Sequence, residues 1–195
     1  MIATTIIDII RHGEPEGGRK YRGHMDDPLS DKGWQQMRAA VAGRRDWEQI
    51  FTSPMRRCYD FATELGQQLK VPVTPIEQLK EISFGSWEGY RATELEASDP
   101  GIMARFRHDP LHQRPEGAEP LPDFIARIEQ GWQQLCDQAQ GQRVLLVGHA
   151  GQIRAVLHLL LQIPLSHLYR FNIANAAMLQ VTQKPDYPPQ VQFYT

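Results

Sequence analysis

The stretch TTIIDIIRHG, residues 4–13, decides how the chain folds. Its isoleucines and threonines are β-branched residues that favour an extended strand, and a run with so few polar side chains is typical of a strand covered on both faces. Gly13 and the proline and glycines that follow it end the run. The sequence therefore predicts a buried strand that delivers Arg11 and His12 at its carboxyl end.

Strand patterns and helix patterns alternate over most of the chain. This alternation predicts an α/β fold of three layers, α/β/α, in which helices cover a mostly parallel sheet. The predicted helices run from a cap at Ser30 to about Arg45, from Ser53 and Pro54 to about Lys70, from Asp123 to Ala139, and from the turn 148–151 to about Leu161. The later predicted strands cover residues 49–52, 71–74, 144–147, 170–173, 178–182 and 191–194.

The pattern loosens between residues 83 and 122, where prolines and glycines separate two short helical pieces. We interpret this segment as a cap inserted into a single domain that covers residues 1–195. A chain of 195 residues is long enough to bury one core of its own.

Composition narrows the possible partners. A net charge of -2 provides no field that would gather nucleic acid or an anionic membrane surface. The apolar segment 153–163 carries Arg154 and His158 and is too short to span a bilayer, and the apolar start lacks the basic leader of a signal peptide. Cys58 and Cys136 form no redox motif, so that we expect a cytoplasmic protein. The sequence leaves open whether it forms a homodimer.

Two strand ends carry histidines, namely His12 and His149. Open parallel sheets bind ligands beyond the carboxyl ends of their strands, so that we expect these side chains to share a site. A histidine at a strand end is more often a structural residue, and His12 alone does not decide between the two interpretations. Arg11 beside it supplies a permanent cation that suits phosphate.

A second arginine is predicted at the start of the helix after residue 52. The stretch is Ser53-Pro54-Met55-Arg56-Arg57, and Arg56 falls in the first turn. Because the positive end of a helix disfavours cations, this placement indicates an anionic partner for Arg56. Arg57 is interpreted as a surface residue.

Together these motifs resemble the histidine phosphatase superfamily, in its phosphoglycerate mutase-like branch. The resemblance extends over nearly the whole chain and rests on several motifs in order. They are Arg11-His12-Gly13-Glu14, Pro28–Gly33, Ser53-Pro54-Met55-Arg56, Leu79–Gly89 with Glu81 and Glu88, and Gly148–Arg154 with His149.

The resemblance implies a phosphohistidine mechanism without metal or cofactor. His12 would attack phosphorus, and its other ring nitrogen would donate to a backbone carbonyl in the Gly13 turn. Glu81 would serve as acid and then as base, while Arg11, Arg56 and His149 would bind the phosphoryl group. Glu88 competes with Glu81 for the acid role, contacts the substrate, or bonds only to nearby backbone.

The chain departs from many relatives at Pro15 and Gly18, where they carry a hydroxyl residue and an asparagine. We expect Arg22, with the backbone at Gly18, to compensate as phosphate contacts. The tract 17–23 is similar to the α-ribazole phosphatases of cobalamin biosynthesis, and the cap residues Trp87, Tyr90, Phe106 and His108 are available to cover a ring.

The expected partner is a small-molecule phosphomonoester. By this resemblance it is α-ribazole 5′-phosphate or the corresponding cobalamin phosphate. The alternatives are a broad-specificity small-molecule or sugar phosphatase, then a phosphoglycerate mutase, and last a non-catalytic phosphoprotein binder.

Overall fold

The computed structural model describes residues 4–194, so that the expectations for residues 1–3 and 195 lie outside the described residues. A mixed sheet lies at its centre. The strands are β1 (Thr5–Arg11), β2 (Gln49–Thr52), β3 (Val73–Pro75), β4 (Arg143–Gly148), β5 (Met178–Gln183) and β6 (Gln190–Phe193). Their order across the sheet is β3-β2-β4-β1-β5-β6. The first four are mutually parallel, and β5 and β6 complete one edge with antiparallel pairing.

Helices cover both faces of this sheet. They are α1 (Asp31–Ala40), α2 (Arg56–Leu69), α3 (Ala92–Ser98), α4 (Ile102–His108), α5 (Leu121–Gln138) and α6 (Ala150–Leu161). Side chains of β4 alternate between two cores, one shared with α5 and α6 and the other with α1 and α2. The predicted three-layer α/β fold is therefore confirmed. None of the helices within residues 4–194 combines the length and the apolar character that crossing a membrane requires.

Two predicted helix boundaries and one predicted strand were wrong. Helix α1 ends at Ala40 instead of near Arg45, and α2 begins at Arg56, so that Pro54 lies outside its first turn. Residues 170–173 form no strand. The carbonyls of Phe171 and Ile173 instead accept hydrogen bonds from arginine side chains, which leaves them no role in a sheet ladder.

Asp8 lies in the middle of β1 and is completely buried. One of its oxygens accepts from Trp47 at 2.8 Å and from Arg143, and the other accepts from Gln180 at 3.0 Å and from Tyr194 at 2.6 Å. Burial alone would raise the pKa of Asp8, but these hydrogen bonds outweigh burial and lower it. The carboxylate thereby ties β1 to β4, β5 and the loop before β2.

Replacing this carboxylate by an amide should destabilise the fold. In Asp8→Asn the NH2 group would replace one carboxylate oxygen and would meet the donors from which that oxygen accepted. We expect the free energy of unfolding to fall by about 3–5 kcal/mol. Urea denaturation followed by circular dichroism at pH 7 measures the change. Because the pKa of Asp8 is lowered on folding, its contribution is complete above pH 3.8 and is lost as the pH falls below that value.

Asp46→Asn is the matched control, since Asp46 also pairs with Arg143, at 2.9 Å, but is 59% exposed. An exposed pair contributes at most about 1 kcal/mol. If Asp8→Asn were no more destabilising than Asp46→Asn, the network around Asp8 would not have the role assigned to it.

Candidate active site

His12 follows β1 directly, and its imidazole is almost completely buried. Its Nδ1 atom lies 2.7 Å from the carbonyl oxygen of Gly13, which is the backbone hydrogen bond expected from the sequence. A carbonyl can only accept, so that Nδ1 carries the proton and Nε2 keeps a free lone pair. Burial first, and then the charges of Arg57 and Arg11, hold the pKa of His12 well below its ordinary value of 6.5. The ring is therefore neutral at pH 7.

His149 lies beside His12 at the end of the neighbouring strand, as predicted. The ring centroids are 5.3 Å apart in an edge-to-face arrangement. The backbone N–H of His149 donates to the side-chain oxygen of Gln152 at 3.0 Å, and its Nε2 lies 2.7 Å from the hydroxyl oxygen of Ser53. Burial and the charge of Arg57 lower the pKa of His149 well below 6.5.

Arg11 contributes a fixed cation next to the two rings. Its Nη1 donates to the carbonyl of Ile173, and its Nε is buried with no hydrogen-bond partner among residues 4–194. Burial lowers the pKa of Arg11 to about 10, against the opposing charge of Glu81, so that the side chain stays protonated at neutral pH. A buried N–H without a protein acceptor is suited to an anionic ligand.

The second cation of the site is Arg57 and not Arg56. Arg57 is 1% exposed, donates to the carbonyls of Gly23 and Met25, and leaves its Nε buried without a partner. Its charge is the largest electrostatic influence on the pKa of both histidines. The interpretation of Arg57 as a surface residue was therefore wrong.

Arg56 points elsewhere. Its side chain is 58% exposed and lies 3.7 Å from Asp60, while its backbone N–H donates to Asp26. The prediction that Arg56 belongs to the phosphate site is therefore corrected. The error follows from the predicted helix start: with α2 beginning at Arg56, the second helical residue and not the first turns towards the sheet.

Glu81 approaches the site from the loop after a 3-10 turn, Glu77–Leu79. Its carboxylate accepts from the backbone N–H of Ile82 at 3.0 Å and from that of Gly151 at 3.1 Å, in the first turn of α6. The positive end of a helix stabilises a carboxylate there. Any side chain at residue 151 would collide with Glu81, which explains the glycine.

The backbone around Glu81 is held by a residue that the sequence analysis missed. Arg127 donates to the carbonyls of Gln78 and Lys80, both at 2.7 Å, and to that of Glu81 at 2.9 Å, while it pairs with Glu119. It lies on α5, far along the chain, and no local motif indicates such a contact. Ser53 and Gly151 were likewise missed, although both stand within the motifs that identified the site.

Glu88 bonds to residues near it in the chain and to the loop of His24. One of its oxygens accepts from the N–H groups of His24 and Phe84 and from the hydroxyl of Ser83. These contacts match the interpretation in which Glu88 bonds to nearby backbone, and the expected substrate contact stays a prediction.

Arg22 and Gly18 belong to the loop beside the site. Arg22 donates to Asp27 at 3.0 Å and to the carbonyls of Glu16 and Gly18, both at 2.6 Å, so that its guanidinium fastens this loop. Its charge is still among those that lower the pKa of His12. The phosphate contacts expected from Arg22 and Gly18 stay predictions.

The cap aromatics are mostly unavailable to a ligand. Trp87 and Phe106 are 5% and 2% exposed and pack against each other with their centroids 5.2 Å apart. Tyr90 is 53% exposed, and His108 ends α4 at the surface. The expectation that Trp87 and Phe106 cover a substrate ring is therefore corrected, because both form part of the core.

The arrangement combines a neutral imidazole with a free Nε2, two fixed guanidiniums with unpartnered N–H groups, and a carboxylate. These are the components of nucleophilic attack on a phosphoryl group whose charge is stabilised by fixed cations. Within residues 4–194 no group of three or more His, Cys, Asp or Glu side chains could hold a metal ion.

Comparison with known proteins agrees with this geometry. The family model of the histidine phosphatase superfamily (branch 1) matches residues 7–194. A bifunctional protein of Mycobacterium tuberculosis is 31% identical over 175 residues, which make up 87% of this chain and 48% of that protein. The chain thus spans about half the length of the curated relatives that it matches in this group.

Solved structures are similar over nearly the full chain. A mycobacterial glucosyl-3-phosphoglycerate phosphatase in complex with VO3 has a TM-score of 0.84 at 27% identity and covers 98% of each chain. The α-ribazole phosphatase of Shigella flexneri has a TM-score of 0.80 at 22% identity, covering 97% of this chain and 95% of that one, and shows the fold alone. By its sequence and its fold, this chain belongs to the histidine phosphatase superfamily, branch 1.

Proposed function

We propose that this chain is a phosphomonoesterase that works through a phosphohistidine on His12. The observation that carries the proposal is the hydrogen bond from His12 Nδ1 to the Gly13 carbonyl, because it leaves Nε2 as a free nucleophile in a buried ring. In the first step Nε2 forms a bond to phosphorus as the ester oxygen leaves. In the second step water attacks phosphorus, and the bond to Nε2 breaks to release inorganic phosphate.

Arg11 and Arg57 supply the charge stabilisation. Each has a buried Nε without a protein partner, and two cations match the dianionic charge of a phosphomonoester. Phosphoryl transfer depends mainly on positioning and on charge stabilisation, and fixed donors in a dry site supply both. His149, whose Nε2 lies 2.7 Å from the Ser53 hydroxyl oxygen, would be a third polar contact of the phosphoryl group.

Glu81 is the acid and base of the proposed reaction. In its protonated form it would donate a proton to the leaving oxygen, and as a carboxylate it would then accept one from the attacking water. Its support comes from geometry, since two backbone N–H groups and the Arg127 contacts hold it at the edge of the site. Accurate placement is what general acid–base catalysis requires.

The proposed substrates are small-molecule phosphomonoesters. The tract 17–23 suggests α-ribazole 5′-phosphate or cobalamin phosphate, while the relative of 27% identity is named for glucosyl-3-phosphoglycerate, a sugar-containing ester. Mutase activity ranks lower because the cap is short and a mutase must keep water from its phosphoenzyme. A purely binding role ranks last, because it does not require the free nucleophile at His12.

Replacing His12 should abolish turnover. We expect His12→Ala to release no phosphate above background from α-ribazole 5′-phosphate, sugar phosphates or p-nitrophenyl phosphate, because the variant lacks the proposed nucleophile. Phosphate release in excess chelator measures this, and acid-labile labelling of the protein by a 32P substrate tests for the phosphohistidine.

His112→Ala is the matched control, since His112 is 79% exposed and pairs with Asp109 on the cap. It should retain wild-type turnover. Activity that survives in His12→Ala would overturn the proposed mechanism.

The two neighbouring arginines should differ sharply. Arg57→Lys removes the planar guanidinium from the buried site, and we expect kcat to fall roughly 10²- to 10³-fold, as when one fixed donor to a transition state is lost. Arg56→Lys keeps an exposed cation near Asp60 and should leave kcat close to that of the wild type. Steady-state kinetics with p-nitrophenyl phosphate compare the two, and a larger loss in Arg56→Lys would restore the assignment made from the sequence.

The nucleophile should stay neutral at acidic pH. Burial and the charges of Arg57 and Arg11 lower the pKa of His12, so that the ring gains a proton only well below pH 6.5. A 15N NMR titration of the histidine rings from pH 8 to pH 5 should show His12 in one neutral form with Nδ1 protonated. A titration midpoint for His12 near 6.5 would contradict the buried environment described above.

A further inference from the structure

The turn of residues 174–177, which precedes β5, lies directly beside His12. Asn175 and Ala176 occupy its centre. The side-chain Nδ2 of Asn175 donates to the carbonyl oxygen of His12 at 3.1 Å, although the two residues are 163 positions apart in the chain. Because a carbonyl can only accept, this contact also fixes which end of the Asn175 amide faces His12. The turn thus holds the backbone of the proposed nucleophile.

The backbone of this turn holds the same segment. The N–H of Ala176 donates to the carbonyl of Arg11 at 3.1 Å and to that of His12 at 3.4 Å. In return, the N–H of Arg11 donates to the carbonyl of Ala177 at 3.0 Å. Since Arg11 is the last residue of β1, these contacts extend the hydrogen bonding of that strand into the residue that carries Nε2.

Ala176 has a left-handed backbone conformation, with a φ of 56°. This conformation costs an alanine free energy because its Cβ approaches a carbonyl oxygen, and glycine or asparagine is usual at such a turn position. Strain of this kind persists only where the surrounding contacts enforce it, and it clusters at functional sites. The strained residue is the one whose N–H reaches the carbonyls of Arg11 and His12, which relates the strain to the proposed nucleophile.

The peptide groups on both sides of the His12 Cα atom are therefore fixed. Its N–H donates to the carbonyl of Gly148 at 2.9 Å, and its carbonyl accepts from Asn175. Any side chain at Gly13 would collide with the backbone of Gly33, so that the next residue is closely packed as well. With the main chain held, the hydrogen bond from Nδ1 to the Gly13 carbonyl sets the imidazole, and the direction of Nε2 follows from the backbone.

The direction of Nε2 matters for attack more than for binding. In-line attack needs the nucleophile in contact with phosphorus and aligned with the leaving oxygen, and a displacement of about 1 Å can lower the rate roughly 10²-fold. Binding of the phosphoryl group depends on the guanidiniums of Arg11 and Arg57, which other carbonyls hold in place. Loss of the Asn175 contact should therefore slow the chemistry and leave binding nearly unchanged.

We propose that Asn175 is a positioning residue, which acts through the His12 carbonyl to direct Nε2 at the phosphorus atom. This inference rests on the proposed phosphatase function and adds to that site a residue whose effect is transmitted through the backbone. A residue needed only for stability would change binding, turnover and folding together. A positioning residue supports turnover, and without it the phosphoryl group is still bound with its normal affinity.

Variants of Asn175 test the proposal. Asn175→Ala removes the donor, and we expect kcat for p-nitrophenyl phosphate to fall roughly 10- to 100-fold, with KM close to that of the wild type. Asn175→Gln keeps an amide donor and should restore part of kcat. Asn172→Ala is the matched control, because Asn172 lies in the same loop but is exposed, and it should keep the wild-type kcat. Circular dichroism checks that each variant is folded.

Two inhibitors separate attack from binding. Vanadate mimics the transition state of phosphoryl transfer because vanadium can take Nε2 of His12 as a fifth ligand, whereas inorganic phosphate stays tetrahedral. We expect Asn175→Ala to raise the inhibition constant of vanadate about 10-fold or more, as for a lost transition-state contact, and to leave that of phosphate unchanged.

The outcomes distinguish this inference from the function on which it rests. A wild-type kcat in Asn175→Ala, while His12→Ala is inactive, would overturn the positioning role and leave the phosphatase proposal standing. Equal weakening of phosphate and vanadate would overturn it too, since binding would then have changed. If Asn175→Ala does not fold, Asn175→Ser, whose side chain is one bond shorter, takes its place in every comparison. A wild-type protein that hydrolyses no phosphomonoester would remove both proposals.

Discussion

The parallel pairing of β1 with β4 is the constraint on which the candidate site depends. Its register places Arg11 opposite Gly148, and the backbone N–H of His12 donates to the carbonyl of Gly148 at 2.9 Å. Because the two strands end on the same side of the sheet, this ladder brings His12 and His149 together from distant parts of the chain. A slip of one residue would send one imidazole to the opposite face. The relative position of the two imidazoles therefore depends on the register of β1 and β4.

Backbone carbonyls accept the hydrogen bonds of the guanidiniums that are buried around the site. Arg57 is held by carbonyls of the loop before α1, Arg127 by those of the loop that carries Glu81, and Arg154 by that of Phe171. In these irregular loops the carbonyls bind arginines instead of neighbouring strands. The same contacts fix the guanidiniums in place, so that little reorganisation is needed when charge develops on a phosphoryl group.

The sequence predicted the features that follow from local pattern and from the general rule that parallel strands end at one edge of a sheet. Six of the seven strands expected from it were found, and so were the Ser30 cap, the meeting of His12 with His149, and the hydrogen bond of His12 to Gly13. It failed where a shift of one residue in the start of a helix decides which side chain is buried. Arg56 and Arg57 are chemically identical, and only the start of α2 determines which one faces the histidines. It also failed where a contact joins distant segments, as for Arg127 and for the carbonyls of residues 171 and 173.

Desolvation links the fold to the way the site binds anions. Burial keeps both imidazoles neutral, so that the positive potential at His12 comes from guanidiniums alone. Arginines stay protonated throughout the physiological range, even Arg11 with its pKa lowered to about 10. Phosphate attraction is thereby separated from the titration of the nucleophile. An exposed histidine would lose its lone pair to a proton under the acidic conditions in which it attracts phosphate best, whereas His12 can remain a nucleophile while its neighbours supply the charge.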